Sequence, residues 1–254
     1  MDEATTSGTG TAPGPLPPAE LARPIAEALA AGDLAAVRSL AVGLRAPDLA
    51  DLIEHLQPDE RVQLVQALGS AFDPEALSEL DETVRDQLSE ALPNDVLARA
   101  VARLETDDAA YVIENLEEAD QQDILAQIPT GDRAALERNL EYPEETAGRL
   151  MQTDFVAVPP FWSVGRVIDH MREAEDLPDT FSDIYVVDPT YRVLGSIDLS
   201  RLLRTQREVS IAAIMDAGRQ VVLATADQEA VARQFERYDL KSAPVVDANQ
   251  AWPR

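Results

Sequence analysis

The 254-residue sequence predicts a multidomain protein of α plus α/β class, in which an all-α superhelix of short helices precedes a duplicated α/β unit. Two observations predict this division. Aliphatic residues recur every twelve residues through the first half, and a β-α-β-β-α pattern begins near residue 155 and then starts again. The run YPEETAGRLM at residues 142–151 separates the two patterns. We therefore expect a disordered tail over residues 1–19, a helical domain over 20–141, one α/β unit over 142–207 and an incomplete second unit over 208–254.

The twelve-residue repeat predicts the superhelix. Its positions are Leu44, Leu56, Leu68, Leu80, Leu92, Leu104, Leu116, Ile128 and Leu140. An apolar residue also stands four positions before each of these, and residues four apart lie on one face of a helix. Prolines at positions 58, 74, 93 and 129 argue against the alternative of a few long amphipathic helices. We expect helices of about two turns that bury one another's apolar faces, as in a solenoid, because each helix is too short to be stable alone.

The second half predicts two copies of one α/β unit. The first copy contains strands over residues 155–158, 184–187 and 193–197 and helices over 164–174 and 198–203. In the second copy VVL at 221–223 corresponds to VAV at 156–158, and PVVD at 244–247 corresponds to YVVD at 185–188. A duplicated unit of this kind usually packs as a pseudo-symmetric pair. The second copy stops at Arg254, before the closing strand and helix of the first.

These residues resemble a tandem pair of CBS domains, and together with YPEETAGRLM they resemble the cytosolic region of the MgtE family of magnesium channels. In that family a superhelix of short helices precedes two CBS domains, a connecting helix and a membrane domain. The resemblance covers roughly residues 25–250. It implies a regulatory region on the cytoplasmic side of the bacterial cell membrane, which dimerises through its CBS domains and acts on the C-terminal membrane domain of its parent protein.

The charge of the chain favours cations as partners. Asp and Glu number 47 against 21 Lys and Arg, which gives a net charge of −26. This charge argues against nucleic acid, whose phosphates would be repelled. Most of these carboxylates only solubilise the surface, but acids brought together where domains meet repel one another until a cation bridges them. Mg²⁺ suits this role because it prefers oxygen ligands and keeps much of its water, so we expect weak, regulatory Mg²⁺ binding.

The resemblance implies which acids bind magnesium. Asp107 in LETDDAAYVIENL and Glu75 in DPEALSEL match cation positions in the helical region of the family. Asp227 and Glu229 in TADQEAVA and Asp239 in ERYDL match acidic positions in its second CBS domain. Asp227 and Glu229 also fit a purely structural role, as the N-cap and first turn of a helix. By the resemblance, bound Mg²⁺ closes the helical region onto the CBS domains and holds the membrane pore shut.

Two residues depart from the family pattern. Tyr111 stands where the family often has a second acid one turn after Asp107. Arg149 stands where the family has a second glycine after Gly148, so a cation site that used this backbone would face a guanidinium. The remaining acids of the family site lie in positions after Arg254. We therefore expect these residues to form an incomplete set of magnesium ligands.

An adenine nucleotide is a second possible ligand, because CBS pairs often bind one in the cleft between their modules. The usual ribose-binding aspartate corresponds to Arg201 here, and Asp198 is better placed to cap a helix. The sequence therefore leaves nucleotide binding possible but unsupported.

Catalysis is not expected. The chain has no cysteine, and its two histidines, His55 and His170, stand in different predicted helices without a nucleophile or metal-binding motif beside them. No run approaches the roughly 18 apolar residues of a membrane span.

The competing hypothesis is a stand-alone CBS-domain regulatory or scaffold protein that binds a nucleotide or a protein partner.

Overall fold

A computed structural model describes residues 17–174, 177–178, 180–248 and 251–252 of the chain. Its contacts divide the chain into two compact units. The first runs to Leu104 and includes Asn115–Gln127, and the second consists of Glu105–Glu114 and the residues from Ile128 onward. Most of the predicted tail lies outside the described residues, and the first helix already begins at Pro18. The domain bounds expected from the sequence stay a prediction, whereas the mixed α plus α/β class is confirmed.

The helical region consists of short helices, several of which begin at or directly after a proline. They are α1 Pro18–Ala30, α2 Leu34–Ala41, α3 Ala46–Glu54, α4 Pro58–Leu68, α5 Glu82–Ala91, α6 Asn94–Val101, α7 Thr106–Ile113, α8 Glu118–Gln127 and α9 Thr130–Glu141. Pro58 is the first residue of α4, where its missing N–H costs nothing. Pro93 and Pro129 are the N-caps of α6 and α9. Three of the four prolines that argued against long helices therefore mark where short helices begin, and Pro74 begins a 3₁₀ turn.

The predicted twelve-residue period is confirmed by the helix starts. Helices α3 to α9 begin at residues 46, 58, 82, 94, 106, 118 and 130. The period fails only near residue 70, where the 3₁₀ turns Gly69–Ala71 and Pro74–Leu77 replace a helix. Gly69 ends α4 with φ of 55° and ψ of −122°, a conformation that favours glycine. Within the units, α6 packs against α8 and α7 against α9, so a helix contacts the next-but-one helix in the chain.

The two sets of repeating apolar residues occupy different places in the repeat. The earlier set consists of the nine apolar residues four positions before the repeat positions, and eight of them are buried. The later set consists of the nine repeat positions themselves, and six of them are buried. The later residues mostly lie at or after the end of a helix: Leu92 is the C-cap of α5, and Ile128 follows α8. The expectation that both sets share one helical face is therefore wrong for most pairs. The connecting turns also contribute to the core.

The α/β part lies entirely in the second unit. Its elements are β1 Val156–Val158, α10 Val164–Glu173, β2 Asp183–Val187, β3 Val193–Asp198, α11 Leu199–Leu203, α12 Ile211–Ile214, β4 Val222–Leu223, α13 Gln228–Tyr238 and β5 Val245–Val246. We call residues 142–207 the first module and residues 208–254 the second. In the first module β1 pairs with β2 in parallel, and β2 pairs with β3 antiparallel. All five residues of β2 are buried, as expected for the central strand of its sheet.

The second module repeats the start of the first. Strands β4 and β5 pair in parallel on either side of α13, as β1 and β2 do around α10. After β5, the amide of Asp247 donates to the carbonyl of Ala251 over 2.8 Å, as the amide of Asp188 does to Arg192 over 3.0 Å. The internal repeat expected from the sequence is thus present in the structure. The first module has an apolar core that includes Val156, which is fully buried, and burying each such side chain stabilises it by about 1.5–3 kcal/mol.

Candidate ligand site in the second unit

A cavity of about 410 Å³ lies between the two modules of the second unit. Its apolar wall comes from β1, β2, β4, α13 and the segment before β5. The polar and aromatic residues that line it include Asp107, Gln152, Asp154, Phe155, Asp183, Tyr185, Gln228, Lys241, Ser242 and Trp252. A mostly apolar pocket of this size with a few polar groups is typical of a small-molecule site.

Asp107 brings a carboxylate to the wall of this cavity. It stands in the first turn of α7, where the helix dipole favours a negative charge. Burial nevertheless raises its pKa above the ordinary value of 3.8, although the backbone amides of Asp108 and Asp107 and the side chain of Gln152 lower it. Within the described part of the chain its Oδ1 atom is buried and has no hydrogen-bond partner. A buried oxygen in this state can ligate a cation that prefers oxygen.

Aromatic rings form one side of the cavity. Phe155 and Trp252 stack with ring centroids 3.6 Å apart and planes inclined by 21°. Tyr185 lies edge-on to Phe155 at 6.4 Å, and its hydroxyl is 2.7 Å from Oγ of Ser242. Burial raises the pKa of the Tyr185 hydroxyl above 10.0, so it remains protonated at neutral pH. These rings offer flat apolar surfaces beside a hydroxyl group, which suits an aromatic ligand.

A buried ion pair joins the two modules beside the cavity. Arg219 donates from Nη1 and Nη2 to the two carboxylate oxygens of Asp183 over 2.7 and 2.8 Å. Ser242 donates its hydroxyl to the same carboxylate over 2.6 Å, and its carbonyl accepts from Arg219 over 2.7 Å. This network could not be predicted from the sequence, because residues 36 and 59 positions apart carry no local signal of their contact. Removing one partner of such a pair costs about 3–5 kcal/mol, so the network fixes the shape of the cavity.

The acids predicted in the second module occupy the ends of α13. Asp227 is the N-cap, and its Oδ1 accepts from the amide of Ala230 over 3.0 Å. Glu229 stands in the first turn and forms an exposed ion pair of 3.3 Å with Arg233. The N-cap role expected for Asp227 and the first-turn position expected for Glu229 are confirmed. Asp239 is exposed at the other end, where it closes the helix in the left-handed conformation with φ of 50°.

The predicted magnesium ligands do not form one cluster. Asp227 and Asp239 are separated by the whole of α13, which is about 18 Å at 1.5 Å per residue, so one ion cannot bind both. Glu75 lies in the first unit, exposed in a 3₁₀ turn, where its amide donates to Asp73. Across the described ranges, no three His, Cys, Asp or Glu side chains are grouped so as to hold a metal ion. The metal-binding roles of these five acids stay predictions.

Asp198 has the capping role that the sequence favoured over ribose binding. Its carboxylate accepts from the amides of Ser200 and Arg201 at the start of α11, over 2.8 and 3.4 Å. The hydroxyl of Ser200 also donates to it and lowers the pKa of Asp198.

A first α/β module, a second that repeats its β-α-β start, and a ligand-sized cavity between them are an arrangement of the CBS type. Comparison with known proteins agrees: residues 147–208 match the profile of the CBS domain, and residues 44–145 match that of the MgtE intracellular N domain. The magnesium transporter MgtE of Thermus thermophilus is 31% identical over 90% of this chain and 51% of its own length.

Solved structures give the same result. The cytosolic domain of the Mg²⁺ channel MgtE in complex with ATP is 29% identical, with a TM-score of 0.78 over 91% of this chain and 94% of that one. The soluble part of a magnesium transporter shares the fold, with 22% identity and a TM-score of 0.74 over 93% of each chain. The chain therefore belongs to the MgtE family and corresponds to the cytosolic region of its members.

The chain spans about half the length of the curated relatives that it matches. In the part that the structure describes, none of the helices combines the length and apolar character needed to cross a bilayer.

Proposed function

We propose that this chain is the magnesium-sensing regulatory region of a larger MgtE-type transporter, in which bound Mg²⁺ controls a pore in the membrane domain of the parent protein. The main support for the proposal is Asp107, whose carboxylate lines the cavity. Its Oδ1 atom is buried and lacks a hydrogen-bond partner among the described residues. The relatives, which are magnesium transporters, supply the choice of ion.

The proposed mechanism is a shift between two arrangements. Without a cation, the carboxylates of a chain with a net charge of −26 repel one another and favour an open arrangement. With Mg²⁺, the acids of the helical region and of the second module are bridged, and the chain closes. Mg²⁺ shifts this equilibrium only because it binds the closed arrangement more tightly.

The geometry of α13 divides the proposed sites. Asp227 and Glu229 at its start and Asp239 at its end need separate ions, because about 18 Å of helix separates the two ends. Capping does not prevent Asp227 from binding a cation, since its Oδ1 accepts the amide of Ala230 and a carboxylate offers further lone pairs. Asp107 and Glu75 complete the proposed set in the helical region.

The remaining features of the proposal follow from the family. The parent protein carries the membrane domain, and this region acts on the cytoplasmic side of the bacterial membrane as a homodimer formed through its CBS modules. It regulates transport and catalyses no reaction, which agrees with relatives that are transporters. Its negative charge disfavours nucleic acid as a partner.

Titration calorimetry with Mg²⁺ tests the proposal. Asp107→Asn is compared with Asp48→Asn, which removes the same charge from the first turn of another helix, where the side chain is exposed. We expect Asp107→Asn to weaken Mg²⁺ binding by tenfold or more and Asp48→Asn to leave it unchanged. Equal affinity in both variants would contradict a metal role for Asp107.

An adenine nucleotide is the second candidate ligand, and the aromatic wall of the cavity favours it. The stack of Phe155 on Trp252 and the ammonium group of Lys241 offer surfaces for a base and a phosphate. A relative of 29% identity was solved in complex with ATP. The same calorimetry with ATP distinguishes the alternatives: binding that Phe155→Ala abolishes supports a nucleotide site, and binding of ATP without any response to Mg²⁺ favours a stand-alone CBS regulatory protein.

A further inference from the structure

The segment that connects the last helix of the helical region with β1 is held by the second module. The amides of Ala147 and Gly148 donate to the carbonyls of Ala226 and Ala224, each over 2.8 Å. The amide of Gln228 returns a hydrogen bond to the carbonyl of Glu145, also over 2.8 Å. Gly148 also packs against the ring of Tyr142 in the same segment, since a Cβ atom there would lie 2.5 Å from that ring. Residues 145–148 thus run antiparallel to the chain that leads into α13.

The residues that follow are held by α7 and α9. Asn139 of α9, which is fully buried, donates from Nδ2 to the carbonyl of Met151 over 2.8 Å. The guanidinium of Arg149 donates from Nη1 to the carbonyl of Asn139 over 3.3 Å. Its Nε atom lies 3.5 Å from Oε2 of Glu114, just after the last residue of α7. Both charged side chains are largely buried, at 11% and 14% exposed, so solvent screens their attraction only weakly.

We propose that Arg149 is a positioning residue. The ion pair between its buried guanidinium and Glu114, called the latch below, holds α7 and its Asp107 carboxylate against the segment that the second module holds. α7 carries Asp107 near its first residue and ends beside Glu114, so a fixed position for Glu114 also fixes the direction of the helix. The positive charge in the latch is the Arg149 guanidinium, so it is part of the chain and not a bound ion. It keeps α7 in place before any Mg²⁺ binds, so the proposed magnesium response starts from a preset Asp107.

This consequence for magnesium rests on the proposed function, but the latch itself does not. Hydrogen exchange measured by mass spectrometry without Mg²⁺ therefore tests it separately. Arg149→Met keeps most of the side-chain volume and removes the charge, and Glu114→Gln removes the other charge in case the first variant fails to fold. The matched control is Arg133→Met, which breaks an exposed ion pair of 3.6 Å with Glu137 on α9.

We expect Arg149→Met and Glu114→Gln to raise the exchange of amides 105–114 by roughly tenfold or more, with little change in β2, because opening of α7 becomes local. Arg133→Met should leave both regions unchanged. The double variant Arg149→Glu/Glu114→Arg should restore part of the protection. Unchanged exchange over 105–114, or an equal rise in β2, overturns the positioning role.

Calorimetry with Mg²⁺ on the same variants then separates the two proposals. Weaker Mg²⁺ binding in Arg149→Met, but not in Arg133→Met, supports a preset Asp107. If amides 105–114 lose protection but the Mg²⁺ affinity is unchanged, the positioning role of Arg149 is supported and its part in magnesium sensing is contradicted. Absence of Mg²⁺ binding in the unmodified chain contradicts the proposed function and leaves the latch to the exchange result.

Discussion

Asp107 shows two opposing effects on one carboxylate. The dipole of α7 stabilises a negative charge in the first turn by about 0.3–1 kcal/mol. Burying a polar atom without a partner costs about 1–3 kcal/mol, and more when the group is charged. The pKa of Asp107 is raised because its burial outweighs the hydrogen bonds that its carboxylate accepts. The ionised side chain therefore destabilises the fold until a cation or a proton neutralises it.

We predict that Asp107→Asn raises the thermal midpoint of unfolding at neutral pH without Mg²⁺, by about 2–4 °C for each kcal/mol recovered. The pKa of Asp107 is higher in the folded chain than in the unfolded chain. Its ionised carboxylate therefore destabilises the fold at pH values above the folded pKa, and this destabilisation disappears as the pH falls through the folded pKa toward 3.8. The advantage of the variant should therefore vanish in acid. Thermal unfolding from pH 7 to pH 3.5 measures it, with Asp48→Asn as control. A variant less stable than the parent at pH 7 would contradict this account.

Residues whose role is local were predictable, and residues whose role depends on distant contacts were not. Asp227 and Asp198 stand directly before helical patterns, and both cap helices. Asp183 gives no such sign, since its partner Arg219 lies 36 residues away and only the packing of two modules brings them together. The burial of Asp107 likewise depends on the second unit as a whole, although its identity as a candidate came from the family pattern.

At the scale of elements, α13 is the helix on which the cation proposal depends most. Its described residues, 228–238, include none that is fully buried, so capping contributes much of its stability. Asp227 begins the helix and is also a proposed magnesium ligand. The two roles respond differently to substitution, because asparagine caps a helix about as well as aspartate but carries no charge.

We predict that Asp227→Ala destabilises the second module by about 1 kcal/mol, whereas Asp227→Asn leaves its stability nearly unchanged. Both substitutions should weaken Mg²⁺ binding to the same extent, since each removes the charge. Hydrogen exchange of α13 measures the first effect, and calorimetry with Mg²⁺ measures the second. If Asp227→Asn binds Mg²⁺ as tightly as the unmodified chain, Asp227 is a cap and nothing more.

The elements also show how far a periodic sequence predicts a fold. The twelve-residue period and the prolines predicted a repeat of short helices, and helices α3 to α9 begin in that period. The interruption near residue 70 was not predicted, because the apolar residues there keep the period while Gly69 turns the backbone out of the helix. The assignment of α7 and α9 to the second unit was also not predicted, since a helical repeat looks uniform in sequence whichever neighbours each helix packs against.

At the scale of the whole molecule, the excess of acids determines how the chain should respond to ions. A net charge of −26 on 254 residues opposes any compact arrangement of the acidic surfaces. Monovalent salt weakens this repulsion by screening, whereas a divalent cation that prefers oxygen can also bridge carboxylates at particular positions. Magnesium sensing therefore requires a conformational response that depends on the identity of the ion and not on ionic strength alone.

Small-angle X-ray scattering measures this response. The radius of gyration is measured with near-zero and about 10 mM Mg²⁺, a range suited to weak oxygen sites, and with Ca²⁺ and ionic-strength-matched Na⁺ as controls. We predict that Mg²⁺ reduces the radius of gyration and that matched Na⁺ does not. An unchanged radius, or equal compaction in Na⁺, would contradict magnesium sensing by this chain.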